Sequence, residues 1–163
     1  MSRADDYREF WTHFVDFGRQ HFPDIIEDLA PKDDSWLEKG IELPDGVNIR
    51  WKFYVRDKKF TVGIYPTNRD AITNTRVIEG YLESKELMEK ETGVTLELRG
   101  KGKDIRPTLF AVFPDGIPAM ANRKSDDLGI ANVLNDPDLW DDLIEWGFEI
   151  AQRLIPVFIS HFN

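Results

Sequence analysis

The chain has 163 residues, a formal net charge of −9 and a sequence pI near 4.8. That length suits one domain able to bury a core without staples, and a single α+β domain over 1–163 is the expected organisation. It contains no Cys, which excludes disulfides, thiolate metal sites and a cysteine nucleophile.

A first helix is predicted from Ser2, with Ser2 and Asp5 approximating a capping box. Tyr7, Phe10, Trp11, Phe14, Phe17, Gly18, His21 and Phe22 recur at the spacing of a buried helical face. Pro23 ends or bends that helix, and DIIEDL at 24–29 can add a turn. PKDD at 31–34 is a break, and Ser35 to Leu43 fits either a short helix or a strand. LPDGV at 43–47 carries Pro and Asp-Gly turn chemistry.

Residues 48–66, NIRWKFYVRDKKFTVGIYP, alternate between apolar and polar. Ile49, Trp51, Phe53 and Val55 share one parity, while Arg50, Lys52, Tyr54 and Arg56 share the other. A period of two marks half-buried strands. After a short polar break Phe60, Val62 and Ile64 resume the inward set, so the stretch reads as an antiparallel hairpin. Trp51, Phe53, Phe60 and Val62 are expected to form the sheet side of the core.

TNRD at 67–70 offers Asn68 or Asp70 as the cap of a helix running to about Thr92. Gly93 stands where a glycine C-cap belongs. Ile78, Tyr81, Leu82 and Met88 form the buried stripe, and Glu86 with Lys90 makes an i, i+4 pair. Residues 94–99 and 105–113 resemble a second hairpin around GKGKD, with Leu96 and Leu98 alternating against Glu97 and Arg99. Residues 113–129 are rich in Pro, Gly and Asp and read as an irregular loop. The last helix starts with Asp136 as cap and Pro137 at its first position. Leu139, Leu143, Trp146, Ile150, Leu154 and Val157 line its apolar face, widened by Trp140, Ile144, Ala151, Ile155 and Phe158, and Pro156 should kink it. The order α-β(β)β-α-ββ-α predicts an α+β fold. Its antiparallel sheet has four to five strands from two hairpins, covered by N-terminal, central and C-terminal helices.

Few residues point to chemistry. His13 and His21 lie roughly 12 Å apart along one helix, too far to chelate one ion, and no nucleophile elbow or phosphate-cradling glycine loop is present. Pro44-Asp45 followed by Asp57-Lys58-Lys59 has the form of a restriction-nuclease metal motif. The stretch 46–56 reads as continuous strand, which at ~3.3 Å per residue holds Asp45 and Asp57 roughly 35 Å apart. No catalytic residue, metal or cofactor is therefore assigned, and a non-enzymatic protein is expected.

Charge is more informative. Residues 1–50 carry net −6, residues 51–125 net +4 and residues 126–163 net −7. The basic centre supplies the candidate partner-binding residues. Arg50, Lys52, Tyr54, Arg56 and Lys59 come from the first hairpin, and Arg99, Lys101, Lys103 and Arg106 from the second. Cations interleaved with aromatics on a sheet can bind phosphates and stack bases. The bland alternative is that this face is balanced by the protein's own acidic helices or stays solvated. The acidic pI disfavours nucleic acid, so a protein partner is expected, with a homodimer compatible. The polar, acidic start MSRADDYREF is unlike a secretory signal, and no apolar run approaches the ~20 residues that cross a bilayer. A cytoplasmic protein with no membrane association is the expectation.

REFW at 8–11, Pro31 followed by Trp36, VGIYP at 62–66, EKETGVTLE at 89–97, and LWDDLIEW with IPVF near the end carry a resemblance. They resemble an uncharacterised domain-of-unknown-function family, found alone or C-terminal to restriction-endonuclease-like domains in prokaryotic and viral proteins. The chain departs from that pattern at Leu98, where the family usually has Trp, and in a longer loop at 113–135. The resemblance implies an accessory or interaction module linked to defence against foreign DNA or to its evasion. It supplies no catalytic residues. Two other functions stay open: a nuclease or nuclease-associated DNA-binding domain, and an acidic dimer like the secretion chaperones, which share this order of elements.

Overall fold

The computed structural model describes residues 3–56, 59–100, 107–113 and 137–162. Ten regular elements follow one another in the described residues. They are α1 (Arg3–His21), α2 (Pro23–Ile26), β1 (Trp36–Glu42), β2 (Asn48–Arg56), β3 (Lys59–Pro66), α3 (Ala71–Glu83), α4 (Lys85–Thr92), β4 (Glu97–Arg99), β5 (Thr108–Val112) and α5 (Pro137–Ser160). The strands form one antiparallel sheet in the order β1-β2-β3-β5-β4. The fold class is α+β, as the alternation of period-two and helical patterns predicts. Ser35 to Leu43 resolves as a strand. The helix caps expected at Ser2 and Asp136, and the loop expected from 113, fall outside the described residues except for Phe113 itself. None of the helices among those residues is long and apolar enough to cross a membrane.

Contacts divide the chain into two compact units. The first comprises Met1–Leu37, Phe53–Thr61 and Phe113–Glu149; the second comprises Glu38–Lys52, Val62–Val112 and Ile150–Asn163.

The first unit is an aromatic core. Tyr7, Phe10, Trp11, Phe14 and Gly18 of α1 are buried as predicted, joined by Val15. His21 is exposed instead. It is the last residue of the helix, where its ring lies 4.5 Å from Phe17 on the solvent side, and the chain turns before Pro23 opens α2. Trp11 is fixed by its indole N–H, which donates to the Asp34 carbonyl at 2.7 Å. Phe53 and Phe60, the inward rings of β2 and β3, stack 6.3 Å apart.

Phe148 of α5 lies at the centre of this cluster, fully buried. Its ring stacks on Phe14 at 4.3 Å and on Phe22 at 5.3 Å, and meets Phe53 at 5.5 Å. The close approach requires Gly18, because a Cβ there would sit 2.4 Å from the Phe148 ring. Gly147 does the same for Phe60, whose ring a Cβ would meet at 2.8 Å. Small residues on two helices thus set the depth to which the rings interlock.

In the second unit, Asp45 and Gly46 both take positive φ, 66° and 71°, and reverse the chain between β1 and β2. Asp and Gly tolerate that conformation better than other residues. Asp70 is the cap of α3: its carboxylate accepts from the Ile72 N–H at 3.0 Å and the Thr73 hydroxyl at 3.0 Å. The Ile72 amide, then the Thr73 hydroxyl, hold this carboxyl below its usual range.

The single helix expected over 71–92 is two helices, broken at Ser84 (φ −97°, ψ 4°). Ile78 and Tyr81 are buried in α3 and Met88 in α4. Tyr81 and Met88, seven residues apart, stay on one buried stripe across the break. The i, i+4 ion pair that forms is Lys85 to Glu89 at 3.0 Å rather than Glu86 to Lys90. Gly93 closes α4 with φ 71°, as expected. Tyr81 is buried against Phe158 and donates its hydroxyl to the Phe158 carbonyl at 2.7 Å, and burial pushes the phenol pKa upward. In β4 and β5, Glu97 faces Phe110, Leu98 faces Leu109 and Arg99 faces Thr108. The expected alternation of Leu98 against Glu97 and Arg99 is present.

Phe148→Ala should lower the free energy of unfolding by about 3–5 kcal/mol, because it opens a cavity among rings that cannot collapse around it. The measurement is the urea midpoint, and a midpoint unchanged from wild type would remove Phe148 from the core.

Glu89 supplies a pH test. Its carboxylate accepts from the Leu96 N–H at 2.8 Å and pairs with Lys85, and these, in that order, lower its pKa. A depressed carboxyl contributes stability present above its unfolded value, and that stability is lost as pH falls through the folded value. Glu89→Gln should therefore cost about 1 kcal/mol or less at pH 7. The difference should close as pH drops below about 4. A difference that stays constant from pH 7 to pH 3 would contradict the assignment.

Candidate functional site

Among the described candidates, Arg50, Lys52 and Tyr54 share the parity of β2 opposite to the buried Ile49, Trp51 and Phe53. Two bonds fix how β1 and β2 align. The Leu43 N–H donates to the Val47 carbonyl at 2.8 Å, and the Val55 N–H donates to the Ser35 carbonyl at 2.8 Å. In both pairs the residue numbers sum to 90, so no bulge intervenes. Glu42 then faces Asn48, Gly40 faces Arg50 and Glu38 faces Lys52. At the far end of β2 the Thr67 N–H donates to the Asn48 carbonyl at 3.1 Å, which sets Arg50 opposite Tyr65. Gly40, Arg50 and Tyr65 thus form one row across three strands.

Glu38 binds this row together. Arg50 Nη1 donates to Glu38 Oε1 at 2.8 Å, and the Tyr65 hydroxyl donates to Glu38 Oε2. Lys52 Nζ lies 4.7 Å above the Tyr65 ring, a cation–π contact across the diagonal of the ladder. Tyr65 is only 9% exposed, with the Lys52 ammonium over its ring and Glu38 on its hydroxyl. At Arg50 the predicted basic surface is therefore neutralised by a carboxylate of the neighbouring strand.

Beside this cluster lies a groove of about 710 Å³, lined by Glu38, Gly40, Glu42, Asn48, Arg50 and Tyr65 among others. One end is held by an amide clamp. Asn68 Oδ1 accepts from the Asn48 N–H at 2.9 Å, and Asn68 Nδ2 donates to the Asn48 carbonyl at 3.1 Å. Asn74 Oδ1 in turn accepts from the Asn68 N–H at 2.9 Å. Asn68, one of two cap candidates, is thus the pin that joins the start of β2 to the entry of α3.

The other predicted residues divide. Tyr54 is half-buried on β2, and Arg99 is exposed on β4. Arg56 closes β2 and Lys59 opens β3, but their side chains fall outside the described residues, as do Lys101, Lys103 and Arg106 altogether. Asp45 stands in the turn ahead of β2. Asp57 is outside the described residues; the nine residues of β2 (about 30 Å at ~3.3 Å each) intervene between Asp45 and the residues after Arg56. Among the described residues, no three His, Asp or Glu side chains are grouped to hold a metal ion.

Glu38 and Gly40 were not singled out from the sequence. The usable signal was there: Leu37 and Ile41 share a parity, and the Asp45-Gly46 turn hands that parity to Ile49 and Trp51. A hairpin read through that turn places Glu38 beside the cations of β2.

No curated protein and no solved structure matches the chain. A family profile matches residues 7–112, from the first turns of α1 to the end of β5. The chain belongs to that family, described as a domain of unknown function, DUF4268.

Proposed function

We propose that this is a non-enzymatic protein-interaction domain, an accessory module linked to DNA defence or its evasion. The observation that carries the reading is the Arg50–Glu38–Tyr65–Lys52 cluster. Nucleic-acid binding needs cations that release counterions on meeting phosphates. Here the Arg50 guanidinium is already on a carboxylate and the Lys52 ammonium is over a ring. The net charge of −9 further opposes approach of a polyanion, within the Debye length of about 8 Å over which it is unscreened.

The nuclease reading has less behind it. It needs Asp45 within a few ångströms of a second carboxylate, and Asp45 is committed to a left-handed turn at the head of a nine-residue strand.

Fluorescence anisotropy with duplex and single-stranded DNA at 0.15 M salt tests the proposal. Binding should be weaker than about 100 μM, above the range of ordinary non-specific binders. A micromolar or tighter affinity that falls steeply with salt, and is lost in Arg50→Glu, would overturn it.

A further inference from the structure

We infer that the open edge of β1 is a docking strand for an extended, basic segment of a partner protein, with a large side chain of that segment filling the groove over Gly40. This deepens the protein-interaction reading and rests on it.

The geometry begins with the ladder. β1 ends the sheet order, so among the described residues no strand pairs with its outer edge. Ser35 and Leu43, which bond to β2, are both odd-numbered. In an antiparallel ladder the bonded positions alternate. Leu37, Lys39 and Ile41 therefore turn their backbone groups toward β2, and Glu38, Gly40 and Glu42 turn theirs outward. Glu38, Gly40 and Glu42, which offer N–H and C=O groups to an added strand, are all among the residues that line the groove. Such an edge takes an extended peptide by main-chain pairing, with alternate side chains giving specificity.

Gly40 shows where that strand comes closest. Its φ is not in the positive region, and a Cβ built there would meet nothing within 4 Å. Nothing inside the described protein requires glycine at this position, and glycine weakens a strand interior. A side chain from outside does require it. Opposite Gly40, an aromatic ring would lie over the bare backbone and against Arg50 and Tyr65, which continue the row.

Charge selects the occupant. A second copy would pair β1 with β1 about a two-fold axis. Centred on Lys39, that puts Lys39 opposite Lys39. Centred on Gly40, it puts Glu38 opposite Glu42 twice, and centred on Glu38, Glu38 opposite itself. Like charges directly opposite are destabilising, so each of these registers opposes self-pairing. It fits instead a strand with a basic residue opposite the exposed Glu42, a second opposite Glu38, whose carboxylate it would share with Arg50, and a large ring between them.

The probe is a labelled, end-capped peptide, Thr-Lys-Val-Trp-Thr-Lys-Val, titrated into the full chain at 0.15 M salt. It should bind saturably. N-methylation of its two Lys and its Trp residues, whose amides face β1, should weaken binding at least about tenfold. The same change at the intervening Val and Thr should stay within about twofold, the signature of one-sided strand pairing. Gly40→Pro, which removes an outward N–H but no β1–β2 bond, should also lose at least about tenfold. The N-methyl series keeps the test decisive should that variant fold poorly.

Equal effects of methylation at both sets would overturn the inference. So would equal binding of a probe with Glu in place of Lys, or no binding at 1 mM peptide. A wild-type dimer dissolved by Gly40→Pro would assign the edge to a second copy instead. Failure here with no DNA binding removes the edge but leaves the interaction reading intact. DNA binding by the arm described above removes the reading itself.

Discussion

The register of β1 against β2 is the constraint on which the rest of the site depends. Because the bonds at Ser35–Val55 and Leu43–Val47 share one alignment, a single choice fixes three things. It buries Leu37 opposite Phe53. It brings Glu38 within reach of Arg50, Lys52 and Tyr65. It also decides which backbone groups of β1 are spent on β2 and which face the open edge. A slip of one residue would invert all three together, because side chains in a strand alternate with a period of two.

Energetics explain why the charged cluster serves placement more than stability. The Arg50–Glu38 pair has one half-exposed partner, and such pairs contribute about 1 kcal/mol or less. Stability comes instead from the rings. Phe14, Phe53 and Phe148 are buried completely, and each contributes on the order of 1.5–3 kcal/mol through its area alone. Within the first unit, those rings pack on the segments of β2 and β3 that belong to it. The outward face is then free to be polar at little cost. What it presents is a carboxylate-held cation cluster beside a bare glycine, which suits side-chain and backbone recognition better than a phosphate track.

Much of the fold was legible because two of its signals are local. The alternation of Ile49, Trp51, Phe53 and Val55 needs no partner to be read, and the Pro137 and Gly93 termini follow from backbone geometry alone. The failures were tertiary. Phe148 is not among the residues assigned to the apolar face of α5; its central place depends on Gly18, more than a hundred residues away in sequence. The break at Ser84 was invisible because Ile78, Tyr81 and Met88 keep helical spacing straight through it. Lys85 rather than Glu86 found a partner because Glu89 was already drawn to the Leu96 amide. The site shows the same divide. The cations of β2 were evident from parity, but the carboxylate that holds them lies on a strand whose very existence was left between helix and strand.

Hydrogen exchange of individual β1 amides, read by NMR, tests the register most directly. The structure predicts a two-residue alternation, with Leu37, Lys39 and Ile41 protected by their bonds to β2. Glu38, Gly40 and Glu42 should exchange at least about tenfold faster because their N–H groups face the open edge. Uniform protection along β1, or the opposite alternation, would contradict the register and with it the placement of Glu38, the groove and the docking edge.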